Sequence, residues 1–178
     1  MPKQGIKWLG MVLAVAWPIL VFVSHEYIGS WPLLIAGSAL LAWRLPQARY
    51  LAIVMAAALL MLGGLGHAEL GMRAYPVAVN AIMLAIFLSS LWKGMPLVER
   101  LARLREPDLP PEGVSYTRRV TWAWCGFFIA NGSIACWTAL YADLAIWSLY
   151  NSVISYALIA LMFAGEWLIR RRFRSSLS

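Results

Sequence analysis

The sequence predicts an all-α integral membrane protein: a six-transmembrane-helix bundle of three helical hairpins, with both termini in the cytoplasm. Three observations carry this. The 178 residues are 62% hydrophobic and 13% charged, with a mean hydropathy of +0.70, whereas a soluble domain usually carries about 25% charge. So little polar surface cannot cover a water-soluble globule. Apolar runs recur along the chain, and its basic residues fall almost entirely in alternate connections between them.

The runs lie at about 6–23, 28–43, 50–66, 75–92, 120–140 and 145–168 within a single domain, 1–178. A helix rises ~1.5 Å per residue, so about 20 apolar residues cross the hydrocarbon layer. The first run follows Lys3 and Lys7 and reads as a retained span. Its small-x-small site, Ala14-Val15-Ala16, would leave too short an apolar core for a signal peptide. Trp17 lies inside that run beside Pro18, where a kink is expected. The second run is short and relies on tilt-free packing or on Arg44 reaching back to the interface. The competing arrangement keeps four spans and makes the first hairpin re-entrant. Gly63-Gly64 and Gly66 mark the end of the third run rather than a nucleotide loop.

Lys3, Lys7, Arg44, Arg49, the basic residues of 93–119 and those of 170–174 all occupy alternate connections; Arg73 alone lies on the other side. The positive-inside rule then sets the N-in/C-in topology. Aromatic residues near the span ends, including Trp31, Tyr50, Tyr75, Trp92, Trp122, Trp137, Trp147 and Trp167, read as headgroup anchors. Small residues four apart, at Ala52/Ala56, Ala85/Ser89, Gly126/Ala130 and Ala160/Ala164, are candidates for close helix contact.

The cytoplasmic loop 93–119 is the most charged part of the chain. Pro96 can open a helix, because a first-turn position needs no backbone donor. Leu97, Leu101 and Leu104 follow at helical spacing beside Val98, with Glu99, Arg100, Arg103 and Arg105 directed elsewhere. This predicts a short amphipathic helix lying on the inner leaflet, stopped by Pro107, Pro110 and Pro111. Lys93, Pro96, Leu97, Arg100, Leu101 and Leu104 are its candidate partner-binding or interfacial residues.

Burying polar groups in lipid is costly, so the intramembrane polar residues are the better functional pointers. Asn80, Asn131 and Asn151 are the candidates, as hydrogen bonds between helices or as substrate contacts. Glu166, four residues before Arg170, reads as a helix-end ion pair. On the opposite face His25, Glu26, His67, Glu69 and Asp143 are weak candidates for a divalent cation and otherwise solvated turn residues. Cys125 and Cys136 read as small buried side chains. No Ser/His/Asp set, Gly-rich phosphate loop or Cys/His cluster appears, so neither a catalytic centre, a metal nor a cofactor is expected.

Trp92-Lys93, Pro96-Leu97-Val98, Arg100 and Leu109-Pro110, followed by Trp122-Ala123-Trp124, Phe127-Phe128-Ile129, Gly132 and Asn151, form a pattern over roughly residues 75 to 165. It resembles the central loop and last spans of the intracellular septation protein A (YciB) family of bacterial inner-membrane proteins. The loop here is longer and more basic, the first three spans match only in hydropathy, and the Arg-rich tail is stronger. The chain thus looks like a divergent member. The resemblance implies a non-enzymatic role in envelope biogenesis or septation, through contacts with division or wall-synthesis proteins. It carries over no catalytic residue. Membrane lipids are the other expected partner, nucleic acid is not, and a homodimer and a monomer are equally compatible with the sequence. The alternative is a lipid-handling transporter or accessory protein for isoprenoid, polyene or fatty-acid-like products. What separates the two is whether Asn80, Asn131 and Asn151 share one lumen.

Overall fold

The computed structural model describes residues 16–44, 49–92, 94–104 and 106–175, with the backbone alone at 42–44 and 171–175. Among the described residues all regular structure is helical, with no strand. The helices are α1 (Trp17–Ile28), α2 (Ser30–Arg44), α3 (Arg49–Gly64), α4 (Ala68–Arg73), α5 (Tyr75–Trp92), α6 (Leu97–Arg103), α7 (Pro111–Tyr141), α8 (Leu144–Leu149) and α9 (Ser155–Ser175), with a π-helical turn at Tyr150–Ile154 joining the last two. Residues 6–15 of the expected first span, and Trp8, lie outside the described residues.

Among the described residues three helices are long and apolar enough to cross a membrane: Tyr75–Trp92, Pro111–Tyr141 and the run Leu144–Arg170. The fourth apolar run was legible to the residue, because Tyr75-Pro76 opens it and Gly94, at φ 97°, turns the chain after it. Helices α2 and α3, of 15 and 16 residues, reach only roughly 22–24 Å at ~1.5 Å per residue. Helix α1 begins where Pro18 sits in the first turn and continues to Ile28, through His25 and Glu26, which the hydropathy pattern assigned to a loop. The loop 93–119 also ends early. Pro111 starts α7 rather than merely stopping the preceding helix, since a proline at the first helical position lacks only a donor that would be unpaired anyway.

Two clusters form the core. The larger joins α1–α5 to α7 and α8 through Trp17, Val21, Leu34, Leu59, Met72, Tyr75, Ile82 and Trp147. The smaller joins α5 to α7 through Phe87, Leu91, Trp124, Cys125 and Phe128, with Val98 of α6 packed against it. Tyr75 and Trp147, expected as interfacial anchors, are core side chains at 5% and 0% exposure. Trp147 donates from Nε1 to the Arg73 carbonyl at 3.0 Å, and Tyr75 stacks on Trp17, ring centroids 5.3 Å apart. Trp31, Trp92, Trp122, Trp137 and Trp167 are exposed, as anchors would be.

Small residues were only partly informative. Ala52 and Ala56 are buried against the larger cluster. Gly126, Ala130, Ala160 and Ala164 instead face outward, and nothing stands within 4 Å of a Cβ added at Gly126. Gly71 is the tightest backbone approach: a Cβ there would meet the Leu59 carbonyl oxygen at 2.8 Å. Gly71→Ala is therefore expected to destabilise the α3–α4 contact by about 1–3 kcal/mol, as overpacking does. A lowered melting temperature in detergent would register it; an unchanged one would count against this contact.

Arg73, the one basic residue outside the alternating pattern, fastens the chain near the far end of α7. Its guanidinium donates from Nη2 to the carbonyls of Thr138, at 3.1 Å, and Ala142, and its Nη1 meets Glu69 Oε1 at 3.4 Å. A cation here complements the partial negative charge that backbone carbonyls create at a helix C-terminus. The residue is on that side for a structural reason.

Candidate functional site

Asn80, Asn131 and Asn151 come together. They are 8%, 4% and 5% exposed and all three line one cavity of about 930 Å³, near the upper end of the roughly 300–1,000 Å³ typical of small-molecule sites. Helices α5, α6, α7 and α9 supply its walls. Its α9 wall is the least buried of the three long spans. In the membrane-length window of Leu144–Arg170 only 6% is buried, against 44% for Tyr75–Trp92 and 39% for Pro111–Tyr141.

The amides form a chain of hydrogen bonds across three elements. Asn131 Nδ2 on α7 donates to Asn80 Oδ1 on α5 at 3.0 Å. Tyr150, in the π-turn, donates its hydroxyl to Asn131 Oδ1 at 2.9 Å. Asn80 Nδ2 donates back to the Pro76 carbonyl at 2.8 Å. Asn151 Nδ2 reaches the Trp147 carbonyl at 2.8 Å and Thr138 Oγ1 at 3.3 Å. A π-turn widens the helix by one residue per turn and is frequent at functional sites. Tyr150 and Asn151, at its start, are both buried, at 8% and 5% exposure. Gly132 permits the approach of α5 and α7, since a Cβ there would lie 3.1 Å from Asn80 Cβ.

Below the amides the wall is apolar and aromatic: Met83 and Phe87 from α5, Trp124 and Phe128 from α7, Ile159 and Phe163 from α9. Trp124 and Phe163 close the α7–α9 gap with ring centroids 4.8 Å apart. The charged lining residues, Glu106, Glu166 and Arg170, gather at the other end beside Tyr116. Fifteen residues of α7 separate Tyr116 from Asn131, roughly 22 Å along the helix. That exceeds half of the ~30 Å hydrocarbon thickness. The arrangement is a long apolar slot with a charged mouth and a neutral polar end.

Helix α6 forms part of the mouth, not a free surface helix. Glu99 and Ala102 occupy its packed face at 5% and 7% exposure, while Leu101 and Leu104 are 56% and 81% exposed. Leu97 and Val98 pack against the smaller cluster, and the burial of Glu99 is what the leucine spacing did not indicate. The physical reason is that the carboxylate is neutralised in place, by Arg103, whose Nη2 lies 2.9 Å from Glu99 Oε1, so that it can be buried. Ser90 of α5 accepts from the Leu97 backbone N–H at 3.0 Å, at the start of α6. Pro96 stands just outside the helix, preceding its first residue, and Arg100 turns back to the Met95 carbonyl at 2.9 Å. Val98, Leu101, Ala102 and Leu104 line the cavity. Lys93 lies outside the described residues. The expected Glu166–Arg170 pair is replaced: Arg170 Nη2 lies 3.7 Å from Glu106 Oε2, and the Glu166 carbonyl accepts from Tyr116 at 3.3 Å.

The weak cation candidates are dispersed to local tasks. His25 Nε2 is 3.1 Å from Ser30 Oγ, Glu26 is exposed, His67 precedes α4, Glu69 pairs with Arg73, and Asp143 caps α8 by accepting from Ile146 N at 2.7 Å. Among the described residues no three metal-ligating side chains come together. The cysteines are free, Cys125 buried and Cys136 half-buried.

No protein family, curated protein or solved structure matches the chain.

Proposed function

We propose that this is a lipid-handling protein of a bacterial inner membrane, multi-pass with N-in/C-in topology, which holds one long-chain amphiphile in the slot between α5, α6, α7 and α9. The observation that carries the reading is that Asn80, Asn131 and Asn151 line the same apolar cavity. The side chains supply binding and orientation. With charge confined to the mouth among the described lining residues, the slot is suited to sequestering an apolar body and presenting its charged end at Glu106, Glu166 and Arg170. An accessory or carrier role follows, and no bond-making step is assigned to it.

Native mass spectrometry of the full chain, released from mild detergent in the presence of hexadecanoic acid, tests this. One saturable adduct per chain is expected. Met83→Trp places an indole in the slot and is expected to reduce adduct formation at least tenfold. Non-saturable adducts that Met83→Trp leaves unchanged would reflect detergent-like partitioning and overturn the reading.

A second reading, a septation or wall-synthesis scaffold, draws on the exposure of Leu101 and Leu104, which a protein partner could cover. Photo-crosslinking in cells from these two positions distinguishes it: specific crosslinks to division proteins favour the scaffold, and crosslinks to lipid alone favour the slot.

A further inference from the structure

The neutral end of the slot holds three polar atoms without a hydrogen-bond partner among the described residues: Asn151 Oδ1, Ser155 Oγ and the Tyr156 hydroxyl. Asn151 spends its amide nitrogen on Thr138 and Trp147, which leaves the carbonyl oxygen free to accept. Ser155 is 7% exposed, yet it does not bond back into its own helix. Serines elsewhere in these spans do so: Ser133 to Ile129, at 2.8 Å, and Ser152 to Ser148. All three residues line the cavity.

The three atoms face the slot, and an occupant that displaces water from it either leaves them unpaired, which is costly, or pairs with them. A hydrocarbon tail end cannot. A charged terminus is equally unsuited. Among the described lining residues every ionisable carboxylate and guanidinium lies at the other end, Ser155 and Arg170 being fifteen residues, roughly 22 Å, apart on α9. An ion moved to the neutral end would leave the charges that line the mouth, and the nearby Arg73 guanidinium is already engaged by the Thr138 and Ala142 carbonyls and by Glu69. A hydroxyl suits the site, because it can donate to Asn151 Oδ1 while accepting from Ser155 or Tyr156.

We infer that the amphiphile bound in this slot carries a neutral hydrogen-bonding group, a hydroxyl or phenol, at the end of its chain remote from the head. Asn151, Ser155 and Tyr156 read that group. The inference rests on the proposed binding of an amphiphile and narrows it to chains with a polar far end.

The test compares hexadecanoic acid with 16-hydroxyhexadecanoic acid on the full chain in detergent, titrated by native mass spectrometry. The hydroxylated acid is expected to bind about tenfold more tightly. The double substitution Ser155→Ala with Tyr156→Phe removes two hydroxyls that have no protein partner, so the melting temperature should not fall, while the two acids should become nearly equal in affinity. Equal affinity of the two acids for the unaltered chain would overturn the polar-terminus assignment and leave the slot as a site for plain chains. Saturable binding of neither would overturn both.

Discussion

Replacing Arg73 with alanine is expected to cost about 3 kcal/mol of stability, the largest effect of any single substitution outside the apolar core. The guanidinium is 9% exposed as a residue and donates to the Thr138 and Ala142 carbonyls. Hydrogen bonds from a charged donor contribute roughly 1.5–3 kcal/mol each, though neighbouring ones do not add fully. A partly buried cation at a helix end adds up to ~2 kcal/mol. The Glu69 contact is minor by comparison. That carboxylate side chain is 54% exposed and the pair is 3.4 Å apart, a geometry worth at most about 0.5 kcal/mol. Glu69→Gln should therefore be nearly silent. Arg73→Lys, with one point charge in place of a fork, should recover only part of the loss. Unfolding can be followed with a thiol-reactive dye in a Cys136→Ser background, because Cys125 is only 2% exposed in the folded chain. If Glu69→Gln destabilised as much as Arg73→Ala, the ion pair and not the helix end would be the source.

Arg73 also illustrates what a membrane sequence conceals. Its position was legible as an exception to the charge pattern, but not its partner, 65 residues away at Thr138. Hydrophobic periodicity fixes which face of a soluble helix is buried because the other face must be polar. In lipid both faces are apolar, so Trp147 and Tyr75 read as anchors when they are core, and the Gly126/Ala130 and Ala160/Ala164 pairs read as contacts when they face outward. Helix existence survived this ambiguity, as Tyr75–Trp92 shows. Polar residues survived it too. A buried amide needs a partner wherever it sits, and the three asparagines picked from the spans are the three found lining one cavity. Glu99 was read as pointing away from the leucines, but its burial was not legible, because spacing alone does not register that Arg103, one turn on, neutralises it. The π-turn at Tyr150–Ile154 and the low burial of α9 have no local signature.

Asn131→Leu is the second substitution with a large expected effect, because Asn131 is where the three walls of the slot meet. It donates to Asn80 on α5 and accepts from Tyr150 in the π-turn. Leucine of similar size removes both bonds, leaving the Asn80 carbonyl without the amide and the Tyr150 hydroxyl without its acceptor. Hydrogen bonds between helices in lipid contribute only about 0.6–2 kcal/mol, so the fold should survive with a loss of about 2 kcal/mol. The effect on α9 should be larger in amplitude than in energy. With so little of its surface buried, that helix depends on few ties, among them Tyr150–Asn131, Asn151–Thr138, Tyr116–Glu166 and Arg170–Glu106. Spin labels on the exposed residues Ile129 and Leu161, in a background with both cysteines replaced, should report a broader α7–α9 distance distribution by pulsed electron resonance. Hexadecanoic acid adducts should fall at least tenfold in parallel. Tyr150→Phe removes only one of the two bonds and should show a smaller shift of the same kind. If Asn131→Leu lost binding while the distance distribution stayed as in the unaltered chain, Asn131 would be contacting the ligand directly. If the distribution broadened while binding persisted, the amide chain would be a tie for α9 alone, and the apolar wall from Met83 to Phe163 would hold the ligand without it.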